Sequence, residues 1–362
     1  MSLDDWSKQW LISFYALKTH TMTVSRKVPP ISHPPLIFQN HQLEDVSYHR
    51  HLGITLKSDL TWSHHINLIA QKANRLINIL KCLQFRLDRN SLETIYMSFI
   101  RSLLEYGSPI WDGCTQADAD RLEAIQTTAA TVIAGAMKGT STSKLYEEVG
   151  WETLAERRDK AKLIIMYKIV NNLTPSYLRD LLPETPPSAI NHNTRHRPEI
   201  YPFCARTSLL DKSFFPSTVR QWNQLPYETR NVASLGQFKA KLKFTPKQPV
   251  CYSELLYFGN RSTAVKHTRL RLGCSRLNAH LFKIGVIDSP QCSCGTGIED
   301  TLHHFFMCPM YSNLRVDLSS KVIPIAPFTS ATLLFGNKDC SLDQNYTIFT
   351  AVHEYIVKTE RL

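Results

Sequence analysis

The sequence predicts a mainly α fold (α+β), and two observations carry that reading. Apolar residues recur at helical spacing through most of the chain beyond Ser63, while short β-prone runs broken by Pro, Gly and His are confined to its start. A hydrophobic content of 43% is that of a globular protein and not of a disordered tail.

In order, the sequence predicts a short amphipathic helix through Trp6 and Trp10, a strand over LISFYAL, another around residues 21–25, a Pro-rich loop and a hairpin ending in HLGITL. So few strands cannot form a stable sheet alone, so this segment is expected to be one side of a larger domain. Ser63 is a candidate N-cap for a helix with Ile66, Ile69, Ala73, Leu76, Leu80 and Leu83 on one face and Lys72, Arg75 and Lys81 on others. The next helix opens with a candidate capping box, Asn90 and Glu93, and turns Leu92, Ile95, Tyr96, Phe99 and Leu103 inward. A third runs through Leu122, Ile125, Ala129 and Ile133 and stops at Gly135. A fourth, over residues 154–172, sets Ile164, Ile165 and Ile169 against Arg157, Arg158, Lys160, Lys162 and Lys168, which completes a helical bundle.

Residues 174–216 hold most of the local prolines and read as an irregular connector, followed by short helices near 219–225 and 234–242. After the loop FTPKQPV, a second helical unit begins near Arg261, meets a cysteine cluster and ends in a helix through Ile348, Val352 and Ile356. The expected domains are thus 1–62, 63–173, 174–250 and 251–362.

Forty-two Lys and Arg against 31 Asp and Glu leave a net charge of +11, which favours a polyanionic partner or simply keeps the chain soluble. No apolar run is long enough to cross a bilayer and the start does not resemble a signal peptide, so an intracellular protein without a membrane partner is expected. The odd count of nine cysteines argues for reduced thiols.

The segment CSCGTGIEDTLHHFFMC offers Cys292, Cys294, His303 and Cys308, three thiolates and an imidazole around turn-forming Gly295 and Gly297. That is the donor set of a closed structural zinc site, with His304 as an alternative to His303 and ordinary core packing as the competing explanation. Just upstream, Arg261, Lys266, His267, Arg269, Arg271, Arg276 and Lys283 intersperse Leu270, Leu272, Leu277 and Leu281. This pattern suits a phosphate-binding face and a solvated basic face equally well. Hydrolase elbows, Walker loops and dinucleotide fingerprints are absent. His64, His65, Trp111, Trp151 and Trp222 are expected to have structural roles.

A series of motifs in fixed order then points to one family. W-x-x-x-W precedes ALKTHTM, and HLGITL, TWSHHI, SLETIYMSFIRSLLEYGSPIW, LEAIQTTAA, LYEEVGWETLAERR, YKIVNNLTPSYL and SFFPSTVRQWNQLP follow, with LLFG after the cysteines. The series resembles reverse transcriptases of the jockey and CR1 type of non-LTR retrotransposon, which are RNA-directed DNA polymerases. The resemblance implies that Lys18 is the palm lysine close to the incoming nucleotide, that Leu52, Gly53 and Ile54 form a primer-grip-like turn, and that residues 63–173 are the thumb. It implies RNA and DNA as partners, with Lys72, Arg75, Arg157, Arg158, Lys266, Arg269, Arg271 and Arg276 as candidate contacts.

The family's Mg2+-binding carboxylates, in an upstream strand and an aromatic-Ala-Asp-Asp hairpin, have no counterpart here, and Asp4 and Asp5 are better explained as acids at a helix N-terminus. The sequence is therefore expected to begin just after the catalytic hairpin and to grip a template–primer without polymerising it. A stand-alone nucleic-acid-binding protein and an inert remnant of a decayed element remain alternatives.

Overall fold

The computed structural model describes residues 3–28, 31, 33–183, 200–242, 254–255 and 258–362. The fold is mainly α. Helix α1 (Leu3–Gln9) precedes six strands, β1 (His20–Thr21), β2 (Ile37–Phe38), β3 (His41–Gln42), β4 (Glu44–Asp45), β5 (Tyr48–His51) and β6 (Ile54–Lys57). The bundle helices follow: α2 (Ser63–Leu83), α3 (Arg89–Ile95), α4 (Ser102–Glu105), α5 (Ser108–Trp111), α6 (Gln116–Ala134), α7 (Thr142–Val149) and α8 (Leu154–Val170). Short helices α9 (Ser176–Asp180), α10 (Ser208–Lys212), α11 (Phe214–Gln224), α12 (Tyr227–Arg230) and α13 (Leu235–Lys241) lie next. The C-terminal unit contains α14 (Arg261–Leu272), α15 (Asn278–Lys283), α16 (Ser312–Val322), α17 (Ser330–Phe335) and α18 (Leu342–Lys358).

The strands pair only two by two: β1 with β4 in parallel, β2 with β3 and β5 with β6 antiparallel. The expected strand over LISFYAL does not form. Leu11 takes a positive φ of 52° and is 94% exposed, and a short 3-10 turn occupies Ala16–Lys18. The hairpin over HLGITL does form, with His51 opposite Ile54 and a two-residue turn in which Leu52 and Gly53 both have positive φ. That is the turn class whose twist matches a right-handed hairpin, and glycine supplies it without strain at the second position. Ile54 drops into the bundle core beside Ile66, Ile69 and Trp111, so the hairpin shares its hydrophobic core with the helices.

Helix α2 starts at Ser63 as expected, but Trp62 holds the cap position and the Ser63 hydroxyl donates to Asp118 Oδ2 at 2.6 Å. The capping box at Asn90 and Glu93 gives way to Asp88, whose carboxylate accepts the Ser91 N–H at 2.9 Å, while Glu93 accepts from the Trp151 indole. A π-helical turn over Tyr96–Arg101 inserts an extra residue, which rotates Phe99 outward and buries Ile100 in its place. Helix α6 ends at Gly135 in the left-handed conformation, as predicted. In α8 Leu163, Met166 and Tyr167 pack with Val219, Trp222 and Phe238 of α11 and α13, and Ile169 is also buried. Trp111 and Trp222 are fully buried anchors, and Trp151 stacks on Tyr96. The prolines of residues 184–199 and the FTPKQPV loop lie outside the described residues.

The C-terminal unit has its own core of Leu270, Phe305, Leu318, Ile348, Phe349 and Val352. It docks through α14 onto the C-terminal end of α6, whose last carbonyls carry the negative end of the helix dipole. The Arg261 guanidinium donates to Ile133 O and Val132 O, and Arg269 Nε donates to Gly135 O at 2.8 Å. A Cβ on Gly135 would come within 2.4 Å of Val265, so glycine is required there for the approach as well as for its φ of 69°.

Inside this unit, His267 Nδ1 lies 3.1 Å from His353 Nε2, and His267 Nε2 lies 3.0 Å from Leu333 O. A neutral pair satisfies both contacts if His267 donates to the carbonyl and His353 donates to His267. Burial first, and then the nearby Arg271 guanidinium, holds His267 well below the ordinary imidazole range and brings His353 down to about 4. Both rings stay neutral in the fold, whereas the unfolded chain takes up protons near pH 6.5. Their contribution is complete above that pH and is lost as pH falls towards 4, at a cost on the order of 3 kcal/mol for His353 alone. Urea midpoints measured from pH 7.5 to 4.5 should therefore fall less steeply for His353→Gln than for the parent; parallel profiles would contradict this account.

Candidate metal centre and basic surfaces

The Cys/His segment folds as a knuckle followed by a π-helical turn. Gly295 adopts a φ of 76°, the Cys292 N–H donates to Gly297 O at 2.8 Å, and a bridge between Gln291 and Ile298 closes the loop. The returning chain enters the turn His303–Met307, where the Cys308 N–H donates to His303 O. Residues five apart diverge around an α-helix but nearly align on this wider turn, so His303 and Cys308 face the knuckle together.

The ligand atoms of Cys292, Cys294, His303 and Cys308 all lie within 4.8 Å of one another. Cys292 Sγ is 3.8 Å from Cys308 Sγ, and Cys294 Sγ is 3.3 Å from His303 Nε2. A tetrahedral ion with metal–sulfur bonds of about 2.3 Å sets its sulfurs about 3.8 Å apart, so these residues fit one. The Asp300 carboxylate accepts the His303 N–H at 2.7 Å, and Arg315 Nε donates to Phe305 O at 2.9 Å, which fixes the turn from outside. The Thr296 hydroxyl beside Cys294 brings that thiol down to about 6, while burial pushes Cys292 up to about 11. Four protein ligands leave no place for a reacting water.

His304 points the other way. It is fully buried among the edges of Phe305, Tyr311 and Tyr355, and neither ring nitrogen has a partner among the described residues. Burial lowers it to about 4.

The candidate basic contacts divide by environment. Lys72 and Arg75 are exposed on α2, Arg276 is exposed, and Lys266 is half-buried. Arg269 spends one N–H on Gly135 O. Two of the candidates are buried in ion pairs. Arg158 is 6% exposed and sits 2.9 Å from Asp112, and the Arg271 side chain is 3% exposed and 2.7 Å from Glu148. Each is paired with an acid, Asp112 just after α5 and Glu148 of α7. Arg157 is half-buried and paired with Glu105, which raises its pKa.

The structure also brings together residues that sequence periodicity did not connect. Beside the hairpin, Arg50, Gly53, Thr55, His65 and Lys72 line a cavity of about 500 Å³. The Thr55 N–H donates to His65 Nδ1 at 3.3 Å, which leaves His65 Nε2, buried and without a partner among the described residues, as an N–H donor. The Tyr106 hydroxyl donates to Leu52 O at 2.9 Å and pins the turn. Leu52 is 78% exposed at its tip, and Lys18 is exposed near Tyr15, 5.5 Å above the ring. Among the described residues no helix is long and apolar enough to cross a membrane.

No family model matches the chain, and no solved structure matches it. Over 161 residues it is 22% identical to a Drosophila melanogaster protein named "Probable RNA-directed DNA polymerase from transposon X-element". The match covers 43% of this chain and 17% of that protein. The similarity is to part of a transposon polymerase, and it supports a reverse-transcriptase-like relationship.

Proposed function

We propose that this chain is the template–primer-gripping part of a non-LTR retrotransposon reverse transcriptase, with RNA and DNA as its partners. The carrying observation is the Leu52–Gly53 turn, pinned by Tyr106 beside a cavity lined by Arg50 and Lys72. An exposed two-residue turn with cations behind it is a suitable rest for a phosphodiester backbone, since each phosphate neutralised releases counterions. On this reading Leu52, Gly53 and Ile54 act like a primer grip, Lys18 is the family-equivalent palm lysine, and Lys72 and Arg75 follow the duplex along α2. Segment 1–62 is palm, 63–173 thumb, 174–250 a connector, and 251–362 a basic unit held by zinc at Cys292, Cys294, His303 and Cys308. Mg2+ belongs to the full polymerase, whose carboxylates these motifs do not include.

The test is binding of a labelled RNA–DNA primer–template to the purified chain as salt is raised. Affinity should fall steeply with salt, and Lys72→Glu with Arg75→Glu should weaken it about tenfold or more and flatten the salt slope by about two. Salt-independent or absent binding contradicts gripping. Primer extension with magnesium and all four nucleotides is expected to yield no product, and extension would overturn the division of labour.

A further inference from the structure

The docking of α14 against α6 leaves a cleft of about 770 Å³ between α14 and the loop that follows α2. Sites of roughly 300–1,000 Å³ take compact organic ligands, a range that includes one or two nucleotides. Its lining carries Arg86, Arg261, Lys266, Arg269 and Arg276 against a single carboxylate side chain, Asp88. That carboxylate accepts from both the Ser91 N–H and the Ser91 hydroxyl and keeps its charge, so five cations face one acidic side chain. Arg261 and Arg269 donate to backbone carbonyls, and Asp88 offsets only part of the Arg261 charge. Burial and the neighbouring Arg89 bring Arg261 down to about 10 against the opposing pull of Asp88, with Arg269 adding a smaller lowering, and burial and Arg276 lower Arg269. Like charges thus crowd a partly enclosed space in which an anion would relieve them.

A second, independent feature says which anion. Phe85 lines the same cleft and is 86% exposed, although an aromatic ring of its size normally finds cover. A bare ring beside a row of cations is the arrangement that holds unpaired nucleic acid, with bases stacking on the ring and phosphates meeting the charges. A duplex keeps its bases stacked within itself and offers none to Phe85, and an acidic peptide would use the charges but leave the ring idle.

We infer that the cleft between α14 and the Phe85–Arg86 loop binds a single-stranded segment of RNA or DNA, with a base on Phe85 and phosphates on Arg86, Lys266 and Arg276. The site is separate from the hairpin and α2, and takes from the proposed function only the class of ligand. It exists because the C-terminal unit is docked on the bundle: neither wall alone has both the ring and the row of charges.

The experiment uses the full chain and fluorescein-labelled 12-mers of deoxythymidine and of uridine, alongside an RNA–DNA hybrid of the same length. Phe85→Ala should weaken both single strands about tenfold and leave the hybrid within about twofold, while Phe85→Tyr should retain them. Lys266→Gln and Arg276→Gln should each lower the single-strand salt slope by about one. An unchanged single-strand affinity in Phe85→Ala, an equal loss for hybrid and single strands, or displacement by polyglutamate as effective as by unlabelled oligonucleotide would each overturn the assignment. Lys72→Glu with Arg75→Glu separates the two readings, because it should weaken hybrid binding about tenfold or more and spare the single strands. Circular dichroism of the Phe85 variants should match the parent, since the ring is on the surface.

Discussion

Cys308→Ser should strongly destabilise the C-terminal unit, and a chelator should do the same to the parent protein. Cys308 is fully buried, and its sulfur lies 3.8 Å from that of Cys292. Without an ion, burial keeps Cys292 protonated, with a pKa near 11, while Cys294 is brought down to about 6, and only weak sulfur contacts join the knuckle to the turn. With zinc, the thiols lose their protons and the ion ties the knuckle to the π-helical turn. Binding at structural zinc sites of finger peptides is worth about 10–16 kcal/mol. The unit here has a separate apolar core around Phe349 and Val352 that retains part of the stability. A loss of about 4 kcal/mol or more is expected, read as a lower urea midpoint and early loss of the near-ultraviolet aromatic signal. Cobalt should reconstitute the chelated protein with the absorption of a tetrahedral thiolate site. A preparation that carries no zinc, takes up no cobalt and melts unchanged with chelator would refute the metal centre. His304→Asn distinguishes the two histidines, since it should alter packing but leave metal stoichiometry at one, whereas His303→Asn should weaken the ion.

The bundle and the Cys/His cluster were legible because their signals are local. Residues three and four apart on α2 and α6 repeat an apolar face, and three cysteines fall within seventeen residues of one another. What was not legible required knowing what lies across a gap. Asp88 and Asn90 both suit a helix start, and only the path of the chain selects Asp88. A π-helical turn has no simple residue signature, so both the outward position of Phe99 and the choice of His303 over His304 depended on seeing it. The same limit explains the arginines. Periodicity says that Arg158 and Arg271 lie off the apolar face, but not that another helix places an acid there. The LISFYAL run is β-prone, yet a strand needs a partner, and among the described residues none accepts it.

Glu148 is the residue whose importance sequence least suggests. It sits at the C-terminal end of α7, where the helix dipole disfavours an acid, and it is 9% exposed. Two cations compensate. Arg89 of α3 donates to Oε1 at 3.0 Å and to the Glu148 carbonyl at 2.8 Å, and Arg271 of α14 donates to both carboxylate oxygens, at 2.7 and 3.1 Å. Burial opposes its charge, but the Arg271 and Arg89 guanidiniums prevail and hold the carboxyl below its ordinary value. One carboxylate thus joins two bundle helices to the C-terminal unit. Removing it leaves two guanidiniums buried at close quarters, so Glu148→Ala should cost about 3–5 kcal/mol, and the near-isosteric Glu148→Gln a large part of that. Because the folded carboxyl titrates below the unfolded one, its contribution is present above the unfolded pKa and fades as pH falls beneath it. Urea denaturation at pH 7 is the measurement. If charge compensation is the cause, the triple variant with Arg89→Met, Glu148→Leu and Arg271→Met should recover much of the loss, because a well-packed apolar trio removes the desolvation cost along with the attraction. A Glu148→Ala protein within 1 kcal/mol of the parent, or a triple variant no better than the single one, would show that water or other groups already carry the charge. The cleft beside Phe85 is formed by the same docking, so loosening this junction should also weaken single-strand binding without any change to the residues that line the cleft.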